Sequence, residues 1–331
     1  MKRNIADASI EGVLRADSAA IARMMREVED DAPQARERLT ALYAHTGRAR
    51  VVGITGAPGS GKSTLIDQLV GAWRSRGLRV GVLAIDPSSP LHGGALLGDR
   101  IRMLRHTGDA GTYVRSMASR GQQGGLALRT GDLVDILDAA GMDVVVVETV
   151  GVGQDGVDIM RMALRTVVVQ SPGQGDDIQA MKAGILEIAD ILVVNKCDLE
   201  GADCLVRDLQ AAMALVPEGS MWRPPPILRT RAVSGEGVDV LAEALLPGGC
   251  GDRDAAYDRE RVQRRLGYRF AGRLRELLLA HLEAWLARDA QAASLLAALS
   301  ERRIDPETAA QRAVAAVLAA LIDPVSKEPQ P

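Results

Sequence analysis

The stretch RVVGITGAPGSGKSTL, residues 50–65, decides the fold. A short β-branched run, RVVGIT, leads straight into a glycine-rich turn, and a helix with Leu65, Ile66 and Leu69 at inward spacing follows. Within the turn, Gly56, Gly61, Lys62 and Ser63 keep the order G-x-x-x-x-G-K-[ST]. A phosphate chain needs close backbone approach, which glycine permits, and N–H groups converging at a helix N-terminus. Lys62 adds a point charge for the outer phosphates, and Ser63 adds a hydroxyl ligand for Mg2+. Gly56, Ala57, Pro58, Gly59, Ser60, Gly61, Lys62, Ser63 and Thr64 are therefore the expected phosphate cradle.

Outward from this loop, short apolar runs alternate with amphipathic segments: RVGVLAID (79–86), TYVRSM (112–117), DVVVVET (143–149), RTVVVQ (165–170), DILVVN (190–195) and ILRTRAV (227–233). Strands alternating with helices imply a doubly wound, mainly parallel α/β sheet whose functional residues lie just past the carboxyl ends of the strands. Three acids occupy such places: Asp86, Asp99 and Glu148. With Ser63 they form the expected Mg2+ surround, because this hard cation takes one or two carboxylates and keeps several waters. Glu148 carries most weight, since an ionised group after four buried valines is costly unless it is paired or placed beside a metal.

NKCD, residues 195–198, follows DILVV where a guanine reader belongs. The Asp198 carboxylate accepts both donors on the guanine edge, whereas adenine presents a ring acceptor there; Asn195 and Lys196 complete the motif. TRAVSGEG, residues 230–237, is expected to close over the base with backbone N–H groups of Ala232, Val233 and Ser234.

Ahead of the sheet, Ile21, Met24, Met25 and Val28, then Leu39, Leu42 and Tyr43, predict two short helices. After the Gly- and Pro-rich linker LLPGGCGDRD, residues 245–254, Leu266, Phe270, Leu274, Leu277, Leu278, Leu282, Trp285 and Leu286 trace one stripe of a long helix. Two further helices near 290–302 and 306–321, or a second subunit, are the candidates to cover it. The expected organisation is an N-terminal helical segment (1–48), a nucleotide-binding domain (49–247), a C-terminal helical region (253–322) and a disordered tail (323–331).

Composition narrows the function. The 331 residues are 47% hydrophobic and 25% charged, enough for a sizeable core, and only 2% are aromatic, so Leu, Val, Ile, Ala and Met must fill it. A net charge of -3 without a long basic block argues against nucleic acid as a partner. No stretch approaches the roughly 20 apolar residues that span a bilayer, and the first residues lack a signal-peptide run, so neither membrane nor export is expected. Cys197, Cys204 and Cys250 and the histidines His45, His92, His106 and His281 lie apart, as in a reduced cytoplasmic protein.

Several long segments resemble one family: HTGRARVVGITGAPGSGKSTL, LAIDPSSPLHGGALLGDRIRM, VRSMASRGQQGGLA, VVVETVGVGQ, GDDIQAMKAGILEIADILVVNKCD and RRIDPETAA. This is the MeaB/ArgK group, the methylmalonyl-CoA mutase-associated P-loop GTPases, with the methylmalonic aciduria type A protein as mitochondrial counterpart. The resemblance implies a Mg2+-dependent GTPase that binds GTP and GDP and acts as chaperone to an adenosylcobalamin-dependent acyl-CoA mutase. It also implies a homodimer built through the C-terminal helices. Matching positions give Gln179 and Lys182 a partner-responsive role, with Gln154 nearby. Asp155 and Gly156 stand where family members more often carry Ser and Glu, and Arg231 stands where serine is usual. No D-x-H-x-x-G cobalamin motif occurs, so adenosylcobalamin is expected only through the partner.

The expected chemistry is phosphoryl transfer to water, with Lys62 neutralising charge, Gly151 N–H approaching the γ-phosphate and Glu148 acting at the metal or through a bridging water. Two rivals share features of this core. A nickel metallochaperone GTPase would need His or Cys clusters, and a transport-associated kinase or ATPase would prefer ATP.

Overall fold

The computed structural model describes residues 10–86, 106, 108–118, 125–149, 160–173, 188–214, 224–248 and 255–322. The chain divides into two compact units, Met1–Arg269 and Phe270–Pro331.

The first unit is built on seven strands in the order β3-β2-β4-β1-β5-β6-β7: β1 (Arg50–Gly56), β2 (Val80–Asp86), β3 (Thr112–Ala118), β4 (Val144–Thr149), β5 (Arg165–Gln170), β6 (Ile191–Asn195) and β7 (Ile227–Thr230). Every adjacent pair is parallel, which requires crossover connections and covers both faces. The side-chain alternation of β4 shows why its valine run is continuous. Val145 and Val147 join a core with Ile21, Met24, Leu133 and Leu137, whereas Val144 and Val146 join the opposite core with Leu65, Leu69 and Trp73.

On the first face lie α1 (Ser18–Glu29), α2 (Ala35–Tyr43) and α4 (Gly125–Ala139). Asp17 caps α1 by accepting from the N–H groups of Ala19 at 2.8 Å and Ala20 at 3.0 Å. The two N-terminal helices follow their predicted apolar spacing except at Tyr43, the last residue of α2, which is 51% exposed. The opposite face carries α3 (Lys62–Ser75) and α6 (Val238–Ala244); the fully buried Trp73 donates its indole N–H to the Ala242 carbonyl at 3.0 Å and ties the two together. Past these, α5 (Ala202–Ala214) covers β6 through Leu205 and Leu209. β7 is shorter than the run ILRTRAV suggests. It stops at Thr230, and Arg231 forms an isolated antiparallel bridge with Glu236 that turns the chain back on itself.

The amino edge of the sheet holds the start of α7 (Ala255–Arg288). Asp190, almost fully buried just before β6, accepts from Thr166 N–H at 2.8 Å, from the Tyr257 hydroxyl at 2.7 Å and from the Arg261 guanidinium. Arg165, fully buried, pairs with Asp258 and lies 5.5 Å from the Tyr257 ring centroid. Attraction to Asp190 holds the Arg261 pKa above its ordinary value although burial alone would lower it.

In the second unit, α8 (Ala290–Ser300) and α9 (Pro306–Ile322) pack through small residues, Ala292, Ala298, Ala309 and Ala313. On α7, Phe270 is 71% and Leu277 54% exposed.

Replacing Asp190 with alanine removes three donors' partner and strands Arg261. Urea unfolding is expected to show a loss of about 3–5 kcal/mol. An unchanged midpoint and slope would mean that the network does not hold α7 to the sheet.

Candidate functional site

Parallel pairing brings the ends of β1, β2, β4, β6 and β7 to one edge, and the predicted residues that the structure describes lie at or beside it. β1 ends at Gly56 with φ +146°, and a Cβ at this position would lie 2.0 Å from the Val169 carbonyl oxygen. Gly61 (φ +89°) opens α3, and a Cβ there would meet Asn195 Nδ2 at 2.4 Å. Glycine is required at both places for backbone conformation and for clearance.

The loop's polar groups are held from inside. Lys62, only 6% exposed, donates from Nζ to the carbonyls of Gly56 and Ala57, each at 2.9 Å, so its charge sits over the loop. Ala57 and Ser60 are buried, while Pro58, Gly59 and Thr64 are exposed along the rim. Ser63 Oγ donates to Glu148 Oε1 at 2.9 Å. Glu148 is 3% exposed and lies on a central strand, opposite Ile54 of β1 and Ala84 of β2. One residue further on, Thr149 Oγ1 donates to Thr55 Oγ1 at 2.9 Å, which binds β4 to β1 beside the loop. The hydroxyl and carboxylate oxygens of Ser63 and Glu148 are the hard donor set that suits Mg2+, and a buried carboxylate gains most from a cation beside it.

The second half of the site is organised by Asn195, which is 2% exposed. Its Nδ2 donates to Ser60 O at 2.8 Å, and its Oδ1 accepts from Thr230 Oγ1 and from Ala232 N–H, both at 3.0 Å. One amide thus ties the phosphate loop to the end of β7. Lys196 takes φ +56°, rare for a side chain of its size, and donates from Nζ to Gly59 O at 2.8 Å. Asp198 is half-exposed, and Arg231 Nε lies 3.2 Å from its Oδ2. Burial pushes the pKa of Cys197, between Lys196 and Asp198, up, and the charges of Glu236 and Asp198 push it further.

In the base-closing segment, two of the expected donors have partners within the protein. Of the three N–H groups expected to face a base, that of Ala232 is taken by Asn195 and that of Ser234 by the Arg231 carbonyl, which leaves Val233. The bridging role of Asn195 and the Asp198–Arg231 ion pair were not legible in the motif, whose spacing reports on the ligand and not on the loop behind it. Asp86 ends β2, but its side chain, with Asp99, Gly151, Gln154, Asp155, Gly156, Gln179 and Lys182, lies outside the described residues. No cluster of three His, Cys, Asp or Glu side chains suited to a metal occurs among the described residues. Nor is any helix among them long and apolar enough to cross a membrane.

A parallel sheet with a G-x-x-x-x-G-K-S loop at its carboxyl edge and an N-K-x-D segment tied to that loop defines a P-loop nucleotide-binding protein. The family model for the methylmalonyl Co-A mutase-associated GTPase MeaB matches residues 21–269, and the chain belongs to this family of GTPases. A Pyrococcus abyssi protein with a GTPase designation is 51% identical over 243 residues, 72% of this chain and 74% of that one. GTPase ArgK of Escherichia coli is 35% identical over 246 residues, 72% of this chain and 74% of its own. The mitochondrial methylmalonic aciduria type A homolog of Mus musculus is 37% identical over 201 residues, 59% of this chain and 48% of its own. The crystal structure of an LAO/AO transport system kinase shares the fold, with TM-score 0.69 and 24% identity over 96% of this chain and 99% of that one.

Asn195→Ala tests the tie between the two halves of the site. It leaves Ser60 O and Ala232 N–H without their partner. Thermal or urea unfolding should show a loss of about 1–3 kcal/mol, with guanine-nucleotide affinity falling in the same variant. Stability lost with affinity intact would show that the amide serves the fold alone.

Proposed function

We propose that this GTPase is the chaperone of an adenosylcobalamin-dependent acyl-CoA mutase of the methylmalonyl-CoA mutase type, coupling GTP hydrolysis to cofactor loading and mutase protection. The observation that carries the reading is the family match across residues 21–269, which spans the sheet, the phosphate loop and the start of α7. The mouse relative's name, a methylmalonic aciduria type A homolog, supports the same assignment.

The site's chemistry agrees with that role. Lys62 and the loop N–H groups bind and neutralise the phosphate chain, and Asp198 reads the guanine edge while Asn195 and Lys196 fix the loop around it. Ser63 and Glu148 are the residues that would hold Mg2+, with Asp86 and Asp99 as further candidates. When bound, Mg2+ neutralises charge on the phosphate oxygens. Glu148 accepts from the Ser63 hydroxyl, and its carboxylate is assigned to accept a proton through a bridging water. Gly151 N–H is assigned to the γ-phosphate, and Gln154, Gln179 and Lys182 to sensing the mutase. Adenosylcobalamin stays on the mutase. The stripe of α7, with Phe270 and Leu277 exposed, is assigned to a homodimer contact, and the protein to the cytoplasm.

The reading predicts slow GTP hydrolysis by the protein alone and a rise of at least tenfold with a saturating acyl-CoA mutase that completes the site, about 1.4 kcal/mol of barrier. Steady-state phosphate release with each candidate mutase, with and without adenosylcobalamin, measures this. Equal turnover with and without every mutase would sink the chaperone role, and tighter binding of ATP than GTP would sink the guanine assignment.

A further inference from the structure

The amino edge of the sheet, opposite the phosphate loop, carries a second concave site. Arg50 and Val144 begin β1 and β4, whereas Gly56 and Glu148 lie at or near their far ends, so the two sites are separated by the length of the strands. A cavity of about 510 Å3 opens at this edge, within the range of small-molecule pockets. Its lining includes the apolar Leu164, Leu246 and Val262 together with four arginines, Arg48, Arg50, Arg265 and Arg269, and three aspartates, Asp135, Asp138 and Asp143.

Each of those aspartates has hydrogen-bond partners within the protein. Both oxygens of Asp135 accept from the Arg269 guanidinium. Both oxygens of Asp138 are used by backbone N–H groups, Gly47 at 2.6 Å, Ala49 at 2.9 Å and Arg48 at 3.1 Å, which fixes the wall of the cavity leading into β1. Asp143 Oδ2 accepts from Arg79 N–H at 2.7 Å. Arg265, one turn before Arg269 on α7, makes neither a hydrogen bond nor an ion pair among the described residues. Burial lowers its pKa below that of an ordinary arginine; Asp135 opposes this and the neighbouring Arg269 charge adds to it. Arg265 is half-buried and feels Asp135 and Asp138 only through space, so the planar fork of its guanidinium, which matches the oxygens of a carboxylate or phosphate, keeps its donors for a ligand.

We propose that this cavity binds an organic oxyanion, a small molecule with an apolar body and a carboxylate or phosphate group that the Arg265 guanidinium takes in a bidentate pair. The apolar body lies against Leu164, Leu246 and Val262, and the Asp138 clamp presents a preformed wall, so little ordering is needed on binding. This site is independent of the nucleotide site and of the mutase role.

Calorimetric titration of the full chain, saturated with GDP and Mg2+ to occupy the phosphate loop, tests the proposal with hexanoate, hexyl phosphate, inorganic phosphate and hexanol. At least one tailed anion binds and hexanol does not; the hexanoate and hexyl phosphate arms tell a carboxylate ligand from a phosphate one. Arg265→Gln weakens that anion by about tenfold or more, and Arg265→Lys, which keeps the charge without the fork, falls between. In the unmodified protein, the same anion shields Arg265 from phenylglyoxal, read by peptide mass, which serves if the glutamine variant fails to fold. Failure of both tailed anions to bind at millimolar concentration overturns the proposal. So does equal binding by the parent and the glutamine variant, or modification of Arg265 that the bound anion leaves unchanged.

Discussion

A carboxylate buried at the carboxyl end of a central strand is the constraint around which the site is arranged. Glu148 sits between β1 and β2 with 3% of its surface exposed, and an ionised group in that position costs several kcal/mol unless donors or cations surround it. The Ser63 hydroxyl supplies one donor at 2.9 Å, and the phosphate loop, with Lys62 folded over it, supplies positive potential nearby. The sheet makes this placement possible. Parallel pairing buries four valines on alternating faces and delivers the next residue to the same edge as the loop.

The second organising contact is neutral. Asn195 uses its amide three times, toward Ser60, Thr230 and Ala232, and so makes the phosphate loop and the end of β7 one body. The Ala232 N–H is spent on this tie, and Asp198 shares its environment with Arg231. Their half-exposed ion pair is worth about 0–1 kcal/mol, so Arg231 adjusts the carboxylate and does not lock it.

Much of the fold was legible in the sequence because each signal had one physical meaning. Seven β-branched runs with crossovers admit little besides a parallel sheet, and all seven strands form, although the last is cut short where Arg231 bridges back to Glu236. The phosphate loop and Glu148 were legible for the same reason: glycine spacing and a misplaced charge are local facts. Long-range partners were not. No spacing announces that Asp190 gathers Tyr257 and Arg261, or that Asp135 and Asp138 have partners within the protein while Arg265 lines a cavity, since these depend on where α7 lands on the amino edge of the sheet. Tyr43 shows the same limit in small: periodicity places it inward, but at the last residue of α2 it is half-exposed.

The most direct test of the account is the Mg2+ dependence of GTP hydrolysis in Glu148→Gln, which keeps the shape of the side chain and removes its charge. The account predicts that hydrolysis at a fixed Mg2+ concentration falls by about 10–100-fold and that more Mg2+ is needed for half-maximal rate, with GDP affinity nearly unchanged. An unaltered rate and an unaltered Mg2+ requirement would contradict it, and would leave the buried carboxylate as a structural partner of Ser63 alone.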